Sequence, residues 1–315
     1  MSKILFITSN RLGDAVLSTG ILDYLGHQYP DAQITVACGP LAEGLFKSAS
    51  GVVEVIILRK KPFSGHWLEL WQKCIGTKWD IIIDLRNSAV SRLLWAGQRY
   101  IWGSTNPALH KVEQNAQVLE LTIPPAPRLW FSATTLTKAR QLIPDRNFTL
   151  AIGPTANWKG KTWPAENFIE LIARLREDVF KDCRVAIFAA PGEEENARKV
   201  LQSIPIPFAI DMIAKADPVT AAAAISLCQL YIGNDSGLMH CAAATGVPTL
   251  GLFGPSRPEH YRPWGANSAY VATPQTMDEL TAFSGYDPKT VGSLMGTLTV
   301  DAVYDAVKKL EGIKL

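Results

Sequence analysis

Apolar and polar positions follow one another along this chain in two rhythms. Short runs rich in aliphatic and β-branched residues fall at 4–8, 33–37, 53–58, 80–85 and 99–102, the length and composition of buried strands. Between them apolar residues recur at helical spacing, most clearly at 14–28, 65–76 and 109–121. Strands and helices taking turns predict a parallel sheet covered by helices on both faces. The rhythm stops at residues 123–128, Ile-Pro-Pro-Ala-Pro-Arg. Three prolines in six positions cannot continue a helix and favour an extended linker. After a helix at 136–142 the alternation resumes, with strand-like runs at 149–152, 184–189, 208–210, 230–233 and 249–253. Helices at 164–176, 193–202, 219–228 and 238–245 separate them. The fold class is α/β. Two doubly wound halves joined by a proline-rich linker predict two facing Rossmann-like domains with a cleft between them; one large sheet is the alternative.

Length agrees with this division, since 315 residues suit two cores of about 150 residues each. Two uncharged windows, 218–234 and 236–256, resemble membrane spans in hydropathy alone. Polar Gln229 and Asn234 interrupt the first, and Gly246, Pro248, Gly251 and Gly254 the second, so both read as helix-then-strand units. The short apolar run at 4–7 meets Arg11 and Asp14 at once, unlike a secretory signal, and the expected location is cytoplasmic. The 31 basic and 29 acidic residues nearly cancel. With no basic block and no zinc-finger or helix-turn-helix pattern, nucleic acid is not an expected partner. Five widely spaced cysteines without a C-x-x-C pair imply neither a disulfide framework nor a zinc site.

Ligands of open parallel sheets gather at the carboxyl ends of the strands, so the chemistry is sought in the loops that follow them. After the first strand comes Thr8-Ser-Asn-Arg-Leu-Gly-Asp-Ala-Val16. Asp14 falls where a helix begins, which suits either a helix N-cap or a carboxylate serving as general base. The loop lacks G-x-G-x-x-G and is no dinucleotide fingerprint. After the first strand of the second half, Lys159 and Lys161 precede Thr162-Trp-Pro164 and a helix start. Ammonium groups beside a helix N-terminus suit a phosphate, although the loop taken alone reads first as a solvated loop with two ordinary surface lysines. A third loop, Asn234-Asp-Ser-Gly237, opens a small-residue helix whose first N–H groups, at Ser236, Gly237 and Leu238, suit a diphosphate. His240 lies one turn inside that helix. Finally, Arg59-Lys-Lys-Pro-Phe-Ser-Gly-His-Trp67, continuing to Trp71 and Lys73, mixes cations with aromatics. That composition suits a lipid headgroup region or an anionic acceptor, and equally a solvated loop leading into an amphipathic helix.

Taken together and in order, Arg11-Leu-Gly-Asp-Ala-Val16, Lys161-Thr-Trp-Pro164, Asn234-Asp-Ser-Gly-Leu-Met-His240, Gly246-Val-Pro248 and Leu252-Phe-Gly-Pro255 resemble glycosyltransferase family 9, the bacterial lipopolysaccharide heptosyltransferases. The resemblance covers nearly the whole chain. It implies the GT-B fold, with an acceptor-binding domain at 1–130, a nucleotide-sugar domain at 131–298 and a last helix, 299–315, returning to the first domain. By position, Asp14 matches the family's catalytic aspartate and Lys161 its phosphate-binding lysine. Asp235, Ser236 and Gly237 match the loop that holds the nucleotide diphosphate, with His240 behind it. Thr155 corresponds to a phosphate-contacting threonine. Glu193, with Glu194 and Glu195 as neighbouring candidates, corresponds to a ribose-binding glutamate.

The implied activity is inverting transfer of a sugar, by family default heptose from ADP-heptose, to a lipid-linked saccharide acceptor of the lipopolysaccharide core. A peripheral contact with the inner membrane belongs to the same implication. No cofactor and no metal are expected, because the sequence lacks a D-x-D carboxylate pair. Another nucleotide sugar as donor, a nucleotide-sugar epimerase and a non-catalytic nucleotide-sugar binding protein are the competing readings.

Overall fold

In the computed structural model, residues 1–144 and 148–313 are described. Their strands form two separate sheets, so the single-sheet alternative falls away. The first sheet contains β1 (Lys3–Ile7), β2 (Gln33–Cys38), β3 (Val52–Ile57), β4 (Trp79–Asp84) and β5 (Ala96–Ile101), in the order β3-β2-β1-β4-β5. The second contains β6 (Thr149–Gly153), β7 (Arg184–Ala189), β8 (Ala209–Ile213), β9 (Leu230–Asn234), β10 (Thr249–Phe253) and β11 (Ser268–Ala272), in the order β11-β10-β9-β6-β7-β8. Every pairing is parallel. The inner strands are buried on both faces, which is why they read as unbroken apolar runs. β11 escaped the sequence reading because it is an edge strand whose residues are only half-buried, so its apolar run is broken.

Strand order reverses between β1 and β4 in one sheet and between β6 and β9 in the other. At such a switch point the flanking crossovers diverge to opposite faces and leave a crevice at the carboxyl ends. Asp14 follows β1. Thr155 and Lys161 follow β6, and Asp235 follows β9.

The chain divides into compact units at 1–132 and 133–315. The proline-rich segment packs within the first unit. Arg128 donates its backbone N–H to Thr19 Oγ1 at 2.9 Å. A Cβ on Gly20 would lie 2.2 Å from the Pro125 carbonyl oxygen, so only glycine permits the approach. The helix expected at 14–28 is broken into Leu12–Leu17 and Thr19–Gln28. At the break, Ser18 turns its hydroxyl to the Ala15 carbonyl at 2.7 Å, a local bond that competes with the helix ladder.

The last helix belongs to the second compact unit. Val300–Lys309 buries Val300, Val303, Tyr304 and Val307 in the core of the second unit, with Trp163, Phe168 and Leu298. Arg174 holds Asp301 at 2.7 Å and stacks on the Tyr304 ring, and Tyr304 Oη donates to Asp178. Residues 314 and 315 of the expected 299–315 segment lie outside the described residues. All five cysteines are free and buried, and burial pushes the thiols of Cys38, Cys74, Cys228 and Cys241 up to about 12, as suits inert core residues.

Candidate functional site

In the second unit the loops after β6 and β9 are joined by a chain of buried polar contacts. Trp163 is fully buried, edge-on to Phe168 with ring centroids 4.9 Å apart, and its indole N–H donates to the Leu298 carbonyl at 2.8 Å. That anchor fixes the backbone of the preceding lysine turn. The Trp163 backbone N–H then donates to Asn234 Oδ1 at 3.1 Å, tying this loop to the end of β9. One residue on, Asp235 Oδ2 accepts from Lys161 Nζ at 2.5 Å. Its other oxygen lies 3.9 Å from His240 Nε2, an ion pair whenever the imidazole is protonated. The Lys161 side chain is 25% exposed and that of Asp235 only 6%, so their attraction is little screened by solvent. Lys161 is therefore not the solvent-facing loop lysine of one sequence reading. Lys159, two residues earlier, is exposed and has no ion-pair partner among the described residues.

Ser236 occupies the N-cap of the helix Gly237–Ala244 with extended backbone angles, yet its side chain makes no capping bond. Serine is a preferred cap, and capping would consume one of the amides that a helix start leaves unpaired. Here those amides stay open beside half-exposed Ser236, Gly237 and Leu238. Just beneath, the ring of buried Tyr231 lies across two glycines paired in register, Gly153 and Gly233. A Cβ on Gly153 would meet its hydroxyl at 2.0 Å, and one on Gly233 at 2.7 Å. Burial pushes the Tyr231 phenol well above its ordinary range, with the Ser236 side chain opposing the shift.

The three adjacent glutamates after β7 separate cleanly. Glu193 is half-buried and faces Thr155, whose hydrogen bond partly offsets the burial that raises its carboxyl above the usual range. Glu194 accepts from the Gly192 N–H at 3.0 Å, which lowers its carboxyl. Glu195 makes an exposed pair with Lys199 at 3.6 Å. Of the three, Glu193 alone points toward Thr155, itself 7% exposed at the end of the neighbouring strand.

In the first unit Asp14 is the third residue of the helix Leu12–Leu17, and Arg11 occupies the N-cap. The N-cap reading of Asp14 is thus corrected. Its carboxylate is half-buried and receives one long bond, from Ser9 Oγ at 3.5 Å. Near it lies a residue the sequence reading passed over. Lys111, at the first position of the helix Lys111–Val118, lies 3.6 Å from the centroid of the Trp102 ring. Burial lowers its ammonium group, and the Asp14 charge opposes that. Asn115 of the same helix donates to the Leu17 carbonyl at 3.1 Å, locking this helix to the one that carries Asp14. Asp84 was likewise missed. Fully buried at the end of β4, it shapes the next turn by accepting from the backbone N–H groups of Arg86 and Ser88 and from Ser88 Oγ.

Among the described residues no group of three or more His, Cys, Asp or Glu side chains is arranged to hold a metal ion. The second unit's site combines a lysine, an uncapped helix start and small residues, a chemistry suited to anions.

Paired parallel sheets, each with polar side chains gathered at a switch point, define an α/β protein of the GT-B class. The model of glycosyltransferase family 9 (heptosyltransferase) matches residues 100–284, more than half of the chain, and the chain belongs to that family of enzymes. It is 25% identical over 307 residues to lipooligosaccharide heptosyltransferase 2 of Haemophilus influenzae, covering 83% of this chain and 86% of that one. The solved glycosyl transferase family 9 protein of Veillonella parvula shares its fold with a TM-score of 0.79 at 19% identity, covering 98% of this chain and 96% of that one. The E. coli heptosyltransferase WaaC, solved with ADP, gives a TM-score of 0.73 at 18% identity, covering 98% and 99%.

Proposed function

We propose that this glycosyltransferase moves heptose from ADP-heptose to a lipid-linked saccharide of the lipopolysaccharide core, with inversion and without a metal ion. One observation carries the reading: Lys161 is held by buried Asp235 beside a helix start that its own serine leaves uncapped. A fixed cation and open N–H groups suit a diphosphate and the charge that grows on it as it leaves. The names of relatives support the sugar and the acceptor, and the ADP-bound relative supports the nucleotide.

In this reaction the acceptor hydroxyl attacks the anomeric carbon on the face opposite the diphosphate. The new C–O bond forms as the bond to the diphosphate oxygen breaks, and the electron pair leaves with ADP. Asp14 takes the hydroxyl proton, a role worth about 10²–10⁴-fold in rate. Lys161 with the amides of Ser236 and Gly237 receives the leaving charge, and Thr155 contacts phosphate. Glu193 accepts from a ribose hydroxyl, the role its inward position suits better than those of Glu194 and Glu195. His240 supports Asp235 from behind. We place the protein in the cytoplasm, where ADP-sugars and the inner face of the membrane are both accessible.

The test is incubation with ADP-heptose and a heptose-deficient lipopolysaccharide acceptor in excess EDTA, with ADP release as readout. Release dependent on acceptor and unaffected by EDTA is expected. Release only with a UDP-sugar refutes the donor, and activity abolished by EDTA refutes the metal-free leaving-group clamp.

A further inference from the structure

Tyr231 is fully buried in β9, and its hydroxyl makes no hydrogen bond among the described residues. An unpaired buried hydroxyl is unfavourable, and phenylalanine would fill the same space without that loss. Glycine makes the space. Gly153 ends β6 and Gly233 faces it in β9. A Cβ on the first would lie 2.0 Å from the Tyr231 hydroxyl and on the second 2.7 Å, in both cases closer than to any atom of the ring. Glycine inside a strand weakens it and marks a place that another group approaches closely. Two such glycines and an unpaired hydroxyl thus meet at one point, the carboxyl end of the β6–β9 pair. The hydroxyl, more than the ring, is what the arrangement accommodates.

Next to that point is Ser236. Its side chain opposes the burial that keeps the phenol protonated, so the two hydroxyls are neighbours, although neither is bonded to the other. The negative charge of Glu193 disfavours the phenolate further, which leaves Tyr231 a hydrogen-bond donor. Ser236 is half-exposed and makes no capping bond to its helix. A serine hydroxyl has one proton to give and two lone pairs to receive with. With a buried phenol donating from the strand side, its own proton is directed to the open side, and the amides of the helix start remain free.

We propose that Tyr231 is a positioning residue, whose O–H donates to Ser236 Oγ and so turns the serine hydroxyl outward as a donor to a diphosphate oxygen. The inference rests on the reading of this loop as a diphosphate site and deepens it. Tyr231 itself touches no ligand. It acts through Ser236 alone, and no proton changes owner. Hydrogen bonds in a chain polarise one another in a low-dielectric interior, so the gain belongs to the phosphates and not to the nucleoside.

Titration of the full chain with ADP and with adenosine tests it, on the parent, Tyr231→Phe, Ser236→Ala and the double variant. Each single variant weakens ADP binding about tenfold, the scale of a lost hydrogen bond to a charged group, and leaves adenosine binding unchanged. The double variant binds ADP no worse than Ser236→Ala, because the phenol then has nothing to orient. The thermal midpoint of Tyr231→Phe stays at or above that of the parent, since the ring remains and an unpaired hydroxyl is gone. The proposal is overturned, with the diphosphate reading left standing, if Tyr231→Phe binds ADP like the parent or if its loss adds in full to that of Ser236→Ala. A midpoint that falls while ADP affinity is kept marks a merely structural tyrosine and overturns it as well. A parent that binds ADP no better than adenosine overturns both the proposal and the reading beneath it.

Discussion

The two switch points handle their polar side chains in opposite ways. After β6 and β9, candidate residues are held by one another: Lys161 by Asp235, Asn234 by the Trp163 backbone, Glu193 by Thr155. After β1, Asp14 has one long bond from Ser9 and stands half-buried near Lys111, with no ion pair among the described residues. Charge stabilisation works best from groups fixed before the reaction begins. A general base must instead reach a proton on a substrate and may not be fully committed to protein partners beforehand. The rigid arrangement therefore suits leaving-group binding and the loose one suits proton abstraction.

The comparison is broken most severely at Asp14. Asp14→Asn should lower turnover by about 10²–10⁴-fold, the scale of a lost general base. Stability should change by no more than about 1 kcal/mol, because Asn still accepts the one long bond from Ser9 and a first-turn charge contributes on that scale through the helix dipole. Full turnover by this variant, measured by ADP release, would leave the first unit without a base.

Lys161→Ala should behave differently, because it strands a buried carboxylate. Breaking one side of a buried pair costs about 3–5 kcal/mol, and the quarter exposure of Lys161 places the loss toward the lower end. Denaturant unfolding should show that loss, with most of it recovered when Asp235→Asn is added. Unchanged stability in the single variant would mean the pair is not formed in solution. Next in size is Gly153→Ala, whose Cβ meets the Tyr231 hydroxyl. Overpacking of this kind costs about 1–3 kcal/mol, and adding Tyr231→Phe should return part of it.

The smallest effects sharpen the assignment of the glutamates. Burial raises the folded pKa of Glu193 above its unfolded value. The stability linked to its protonated form is present below the unfolded pKa and lost as pH rises through the folded one. Glu193→Gln should therefore match the parent in acid, exceed its thermal stability at neutral pH and bind ADP less tightly. Glu195→Gln removes an exposed pair worth about 0–1 kcal/mol and should leave ADP affinity at the parent value. Equal ADP affinities for the two variants would remove the distinction between them.

Much of this was readable in advance, for identifiable reasons. Buried parallel strands are continuous apolar runs, so ten of the eleven strands were visible, and the proline cluster marked the end of the first half. The loops carrying Asp14, Lys161 and Asp235 were legible because motif order survives where overall identity is low. What was hidden depends on partners distant in sequence. Trp163 looked like a helix-start residue until Asn234 and Leu298 supplied its partners. Gly153 and Gly233 acquire meaning only when β6 and β9 are set in register beneath Tyr231. The apolar face of Val300–Lys309 demanded a core without saying which one, and the helix packs into its own unit. Lys111 was obscure because nothing local marks a lysine as lying on a tryptophan near an aspartate almost a hundred residues earlier.

The central claim is that the second unit is a preformed diphosphate site. Titration calorimetry of the parent with ADP, AMP and adenosine tests it most directly. Affinity should climb steeply from adenosine to ADP, and Lys161→Ala should erase most of that gain while leaving adenosine binding unchanged. Equal affinities for the three ligands, or a gain from adenosine to ADP that Lys161→Ala leaves intact, would contradict the account.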